Sequence, residues 1–407
     1  MYKPDMSTRS ASGSKIPHGR GLQMNQVTSR VVYVVWSRKS ITVLLFLGWL
    51  FLGGVFILYC STHGTSDSTP VSSFPHGDRG DLNGHLPLLG KGFENGIQET
   101  VNRVLVVTYV RSGSSFLGDL LSANPSTFYD YEPLHMYTLS LRLYGEGFEK
   151  ASSTVTNLFR CNFEPETEYL KHSLKMPFFK HNGHLWEMCR GIVDVCHHPS
   201  FVSAICRESK LHLMKLTFMS IRQVHRWMNL NEDISKTMRV VHLVRDPRAV
   251  LVSRRARPWC VQAFQCTNVE ALCQQLREDL NNFAALEQDF PGKVVRVRHE
   301  DIASNPFIQA RDLYARLGLN FSVHVKHFIR THTGGAKEDE LGNPYSTKRE
   351  SAKTIAGWTS KLNISEVFMV QRFCSDVMSR LGYKLAQNEG ELKNGLMNQW
   401  VDVAYNV

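Results

Sequence analysis

The stretch "VLVVTYVRSGSSFLGDLL", Val104 to Leu121, constrains the fold more than any other feature of the chain. It opens on an unbroken β-branched and apolar run, "VLVVTY", the pattern of a strand buried on both faces of a parallel sheet. Phe116, Leu117, Leu120 and Leu121 then fall on one helical face, until Asn124-Pro125 ends the helix. The tight loop between them holds Arg111, Gly113 and a set of serines. A strand that feeds a helix through such a loop presents unpaired backbone N–H groups and the positive end of the helix dipole, a setting that binds phosphate-like anions. Gly113 lets the backbone approach a ligand, Ser112, Ser114 and Ser115 offer hydroxyls, and Arg111 adds a cationic fork. The plainer alternative is a solvated turn with an incidental arginine. A nucleotide-kinase phosphate loop needs a lysine and then Ser or Thr after its second glycine. Here Ser115 is followed by Phe116 and no such lysine is present, which argues against a magnesium-dependent kinase.

A second unit of the same kind runs from Met238 to Pro258, "MRVVHLVRDPRAVLVSRRARP". Val240 to Val244 reads as a strand, Asp246 as a helix N-cap and Pro247 as the first helical residue. Arg245 at the strand end, Arg248 in the first turn and Ser253 further along are candidates to hold a second phosphate, whereas Arg254, Arg255 and Arg257 read as a solvated basic face. Leu211 to Leu216 and Lys293 to Asp301 are two further strand candidates. Strands separated by helical stretches predict an α/β fold with a central parallel sheet flanked by helices.

The N-terminal part reads differently. Residues 1–40 carry an excess of Lys and Arg and little apolar periodicity, as a basic disordered tail does. Ile41 to Cys60 has no charged residue and is long enough to cross a bilayer as one helix, longer than the usual apolar core of a cleaved signal peptide. Arg38 and Lys39 abut its N-terminal end, so the tail is expected in the cytosol and everything after Cys60 in the lumen. Residues 61–100, rich in Ser, Thr, Gly, Pro and His, read as a flexible stem. Most of the formal net charge of +10 sits in the tail, so the basic balance does not imply a nucleic-acid partner. Eight cysteines follow the apolar run, an even number that suits disulfides in an oxidising lumen, with Cys189/Cys196 and Cys260/Cys266 spaced for short local loops. Zinc is the competing reading, but no paired CxxC supports it, and His197-His198 is too short and isolated to claim a metal. Asn320-Phe-Ser322 and Asn363-Ile-Ser365 are glycosylation sequons in that compartment.

With both phosphate motifs in view, "TYVRSGSSF" resembles the 5′-phosphosulfate loop, and "RDPRAVLVS" the 3′-phosphate motif, of sulfotransferases that use 3′-phosphoadenosine 5′-phosphosulfate (PAPS). "YEPLH", "VRHEDIASNP", "STKRESAKTIAGW" and "LGYKLAQNEGELKN" extend the likeness over roughly residues 102–395 to the Golgi galactose, N-acetylgalactosamine and N-acetylglucosamine 6-O-sulfotransferases of keratan and chondroitin type. The resemblance implies a P-loop-like sulfotransferase domain over residues 101–395, one preceding transmembrane helix and a short C-terminal tail, 396–407. It implies that Tyr109, Val110, Arg111, Ser112, Gly113, Ser114 and Ser115 hold the 5′-phosphosulfate, Arg245 and Ser253 the 3′-phosphate, and that Arg349 belongs to a lid. Arg111 stands where cytosolic relatives carry lysine, which keeps the charge and adds bidentate geometry, and Val110 where they often have proline.

Sulfuryl transfer to a sugar hydroxyl needs cations or N–H donors at the leaving phosphate and a base at the attacking oxygen. Arg111 suits the first role, with Lys215 a second candidate beside the plainer reading of a surface lysine that closes a strand. Glu132, expected at the end of another strand, is the preferred base, because related sugar sulfotransferases place a glutamate comparably; His135 is the alternative, and no metal is required. A Golgi glycosyltransferase would share the anchor and stem, but no plain DxD motif occurs, and a tethered glycan-binding protein has no use for a second phosphate motif. The acceptor is a glycan whose sugar is expected to be selected by Phe163 to Pro199 and Pro258 to Gln275; the implied location is the Golgi membrane, with homodimerisation open.

Overall fold

The computed structural model describes residues 101–138, 142–335, 346–393 and Trp400. The expected tail, apolar run and stem lie outside the described residues, as does the C-terminal segment 396–407 apart from Trp400. Among the described residues no helix is long and apolar enough to cross a membrane.

Five strands build one sheet, all parallel: β1 Arg103–Val107, β2 Thr127–Tyr131, β3 Leu211–Leu216, β4 Met238–Val244 and β5 Val294–Arg298. Their order is β2-β3-β1-β4-β5. The strands form where β-branched and apolar residues run without a break, and they alternate between two cores. Leu105 and Val107 join Met214, Leu216 and Val240 on one face, while Val104 and Val106 join Leu213, Val241 and Val297 on the other. The expected α/β architecture with a flanked parallel sheet is therefore present. Lys293 to Asp301 divides, however: the strand stops at Arg298 and His299–Ser304 turns into a helix.

Five helices matter for the site: α1 Ser114–Leu121, α2 Ile221–Leu230, α3 Pro247–Arg255, α4 Val269–Asp289 and α5 Ile364–Arg380. Helix α4 packs on α2 and α5. Cys273 and Cys374 join α4 to α5 by a disulfide, and the other pairs are Cys161–Cys206, Cys189–Cys196 and Cys260–Cys266. The two short-spaced pairs are those expected from sequence.

The strand order reverses between β1 and β4, since the chain leaves β1 toward β2 on one side and leaves β4 toward β5 on the other. In open α/β sheets ligands bind in the crevice at the carboxyl ends of strands at such a switch point. The loops that follow β1 and β4 flank that crevice.

Candidate active site

A cavity of about 1690 Å³ opens over this crevice. Val110, Arg111, Gly113, Ser114 and Ser115 line it from the first loop, Arg245 and Ser253 from the second, Glu132 and His135 from beyond β2, and Arg349 from the C-terminal half. Motifs far apart in sequence thus share one space.

The first loop is shaped to leave donors free. Gly113 has φ 91°, and a Cβ placed there would lie 2.3 Å from Nδ1 of His299, so both backbone and space require glycine. No side chain caps α1. The N–H groups of Gly113, Ser114, Ser115 and Phe116 have no hydrogen-bond partner among the described residues, as an anion-binding helix start demands. Arg111 sits at φ 70°, and its Nε donates to Ser253 Oγ at 3.0 Å. A guanidinium nitrogen of Arg245 donates to the Arg111 carbonyl at 3.2 Å, and another to the Thr354 carbonyl at 3.2 Å. The two phosphate motifs therefore interlock through Arg111, Ser253 and Arg245.

Tyr109 and Ser112 do not follow the expectation that their side chains face a ligand. The Tyr109 hydroxyl donates to Asp279, which also pairs with Arg142 and accepts the Ile221 N–H at 2.9 Å, all in the interior. The Ser112 hydroxyl bonds Thr108 Oγ1 at 2.6 Å, and Thr108 Oγ1 donates to the Leu243 carbonyl at 2.9 Å. Both side chains fasten the loop from below, because a loop that leaves its N–H groups unused must be held by side chains.

Arg248 is a correction. It is fully buried and absent from the cavity wall; its guanidinium bonds both Asp246 carboxylate oxygens and the Lys384 carbonyl, and stacks on Trp358 at 4.2 Å. In the first turn of α3, it faces the core rather than the crevice. Arg254 is another, since it is not part of a solvated face. It is buried, its Nε donates to the Val110 carbonyl and its Nη1 to the Cys266 carbonyl, each at 3.0 Å. Burial pulls its pKa down to about 10, so it stays cationic near neutral pH and ties the first loop to the Cys260–Cys266 loop. Arg255 is exposed and pairs with Glu366, as expected of a solvated face.

Glu132 follows β2 directly and occupies the left-handed region at φ 49°, with Pro133 opening a short 3₁₀ turn. Its carboxylate lies 2.8 Å from Nζ of Lys215, opposite Tyr131 in the β2–β3 register. Lys215 is fully buried and does not line the cavity, so it is neither a surface lysine nor a direct ligand of the crevice. Burial alone would lower its pKa, but Glu132 and then Tyr131 outweigh that and leave it above the ordinary lysine value. Lys215 therefore pairs from below with the Glu132 carboxylate at the cavity wall. Its ammonium also lies 3.4 Å from the centre of the Tyr131 ring.

The reading from sequence missed several wall residues. His299 fills the floor beside Gly113, and burial, with Arg245 adding to it, keeps its pKa well below the ordinary imidazole value. Tyr131 bonds Ser115 Oγ at 2.6 Å and stacks on His181 at 3.9 Å between ring centres. His172 bonds His135 at 3.1 Å, and Phe178 packs against both His135 and Tyr131. The Phe163 to Pro199 segment supplies His172, Phe178 and His181 to the cavity lining. Among the described residues one group of metal-ligating side chains comes together, Cys161, Cys206 and His212, and both its sulfurs are in a disulfide.

Residues 103–323 match the model of the Sulfotransferase family. Carbohydrate sulfotransferase 1 of Mus musculus is 28% identical over 341 residues, covering 72% of this chain and 81% of that protein. Carbohydrate sulfotransferase 3 of Rattus norvegicus is 27% identical over 338 residues, covering 72% and 70%. Carbohydrate sulfotransferase 5 of Homo sapiens is 27% identical over 321 residues, covering 69% and 77%. Among solved structures, a mouse sulfotransferase complexed with PAP aligns with TM-score 0.37 and 9% identity, over 72% of this chain and 88% of that one. With the family match spanning more than half of its length and falling on the loops that line the cavity, the chain belongs to the sulfotransferase family and is a sulfotransferase.

Proposed function

We propose that the protein transfers a sulfuryl group from PAPS to the 6-hydroxyl of a galactose, N-acetylgalactosamine or N-acetylglucosamine residue of a glycan, as a type II membrane protein of the Golgi with its catalytic domain in the lumen. The observation that carries this reading is the shared cavity. It puts a carboxylate, Glu132, on the same wall system as the interlocked cluster of Arg111, Ser253 and Arg245. The residues fit the donor. Nε of Arg245 is buried without a partner, and the four N–H groups at the start of α1 are unused, so anionic oxygens have positions to fill at both motifs. PAPS, when bound, supplies the activated sulfuryl group.

Arg111 and the N–H groups of Gly113 to Phe116 hold the 5′ end and stabilise the negative charge that grows on the leaving phosphate oxygen. Arg245 and Ser253 hold the 3′-phosphate. Glu132 accepts the proton of the sugar hydroxyl as its oxygen bonds to sulfur, and Lys215 orients that carboxylate. Arg349 lines the cavity just after the 336–345 segment and suits the lid role. The relatives' names as carbohydrate sulfotransferases motivate the carbohydrate acceptor, and the N-terminal charge and hydropathy pattern the membrane anchor.

The test uses the full-length chain in detergent with sulfur-labelled PAPS, a chelator and a panel of glycans. Label should pass to at least one glycan without added metal. PAPS binding with no transfer to any glycan would overturn the carbohydrate acceptor, and absence of PAPS binding would overturn the donor.

A further inference from the structure

The two ends of the cavity differ in charge. Arginines and lysines line the cavity from the first loop, from α3 with the turn that follows it, and from residues 349–361. The end around Glu132 is a contiguous wall of rings. Tyr131 touches Ser115 of the donor loop and stacks on His181, Phe178 bridges Tyr131 to His135, and His135 joins His172. Among the described residues this wall contributes no arginine or lysine to the cavity lining. The lysine beneath it, Lys215, is matched by Glu132 at 2.8 Å, and His181 by Asp119 at 2.9 Å.

From this arrangement we infer that the acceptor segment seated beside Glu132 is built of neutral hexose and N-acetylhexosamine units, without a uronic acid or an existing sulfate next to the reacting sugar. The inference rests on the carbohydrate reading above and narrows it. A carboxylate or sulfate moved into this wall would leave water without gaining a cation, a cost that a low-dielectric cleft does not return. The aromatic rings offer instead the apolar surface on which C–H faces of neutral sugars pack. Two of the imidazoles, His135 and His172, are shifted toward the neutral form. Burial, first, holds His135 below the ordinary imidazole pKa, with His172 and Lys215 adding to it against the pull of Glu132. Burial and then Lys175 do the same to His172, and Lys175 is exposed and does not line the cavity. Both shifts favour the neutral form of the pair.

The experiment compares label transfer from PAPS by the full-length chain to two size-matched oligosaccharides, a poly-N-acetyllactosamine and a glucuronate-containing chondroitin, in wild type and His172→Arg. Wild type should favour the neutral acceptor by about tenfold or more in kcat/KM at low salt. His172→Arg puts a cation in the wall and should move the ratio about tenfold toward chondroitin, with PAPS affinity unchanged. Equal or better use of chondroitin by wild type would overturn the inference while leaving the carbohydrate reading standing. A ratio that His172→Arg does not move would show that this wall does not face the acceptor. Transfer to neither oligosaccharide, with PAPS bound, would overturn the inference, and failure with the whole glycan panel as well would overturn the reading on which it rests.

Discussion

The junctions β1–α1 and β4–α3 look alike in sequence, each a buried strand, an arginine at its end and a helix, yet they offer an anion different things. At β1–α1 no side chain caps the helix, and glycine at φ 91° leaves the first N–H groups open. At β4–α3 the Asp246 carboxylate already accepts the Arg248 N–H at 2.8 Å, and Pro247 has no N–H to give. One junction can bind with its backbone and the other only with side chains, namely Arg245 and Ser253. The same difference explains the fates of the arginines. Arg111 and Arg245 face the crevice, while Arg248 is consumed by the carboxylate that caps its own helix.

Substitutions can break that contrast. Arg248→Ala leaves Asp246 buried without its cation, so it should cost about 3–5 kcal/mol of stability, read as a fall in chemical-denaturation midpoint. A variant as stable as wild type would return Arg248 to the ligand. Gly113→Ala meets both a positive φ and the His299 ring, and should lower kcat/KM about a hundredfold by disturbing the loop. Ordinary activity would mean that the loop N–H groups are not used. Arg245→Ala should weaken PAPS binding about 10- to 100-fold, as loss of a charged hydrogen-bond donor does, with a smaller loss of stability than Arg248→Ala. Equal loss of stability and affinity would erase the distinction between Arg245 and Arg248. Ser253→Ala removes one neutral hydroxyl and should weaken PAPS binding only about 3- to 10-fold, measured by equilibrium titration.

The sheet and its two phosphate units were legible because unbroken β-branched runs and N-cap chemistry are local signals. Which side of a helix an arginine takes was not, because a shift of one or two residues exchanges crevice for core, as Arg248 and Arg254 demonstrate. Glu132 was readable as the end of β2, but its partner Lys215 belongs to a neighbouring strand, and only the register places Lys215 opposite Tyr131. His299 had no signal of its own, since its role depends on the empty space at Gly113. His172, Phe178 and His181 come from a disulfide-braced segment without simple periodicity, and tertiary folding brings them beside Glu132.

The contrast between the two junctions concerns the donor; the proposed base is Glu132. Single-turnover transfer of label from PAPS to a glycan by Glu132→Gln, with PAPS affinity measured on the same preparation, tests it most directly. The account predicts a rate loss of about 10²- to 10⁴-fold with PAPS affinity within about threefold of wild type, the retained affinity showing that the domain is folded. Turnover at the wild-type rate would contradict Glu132 as the base and leave His135, on the same wall, to take its place.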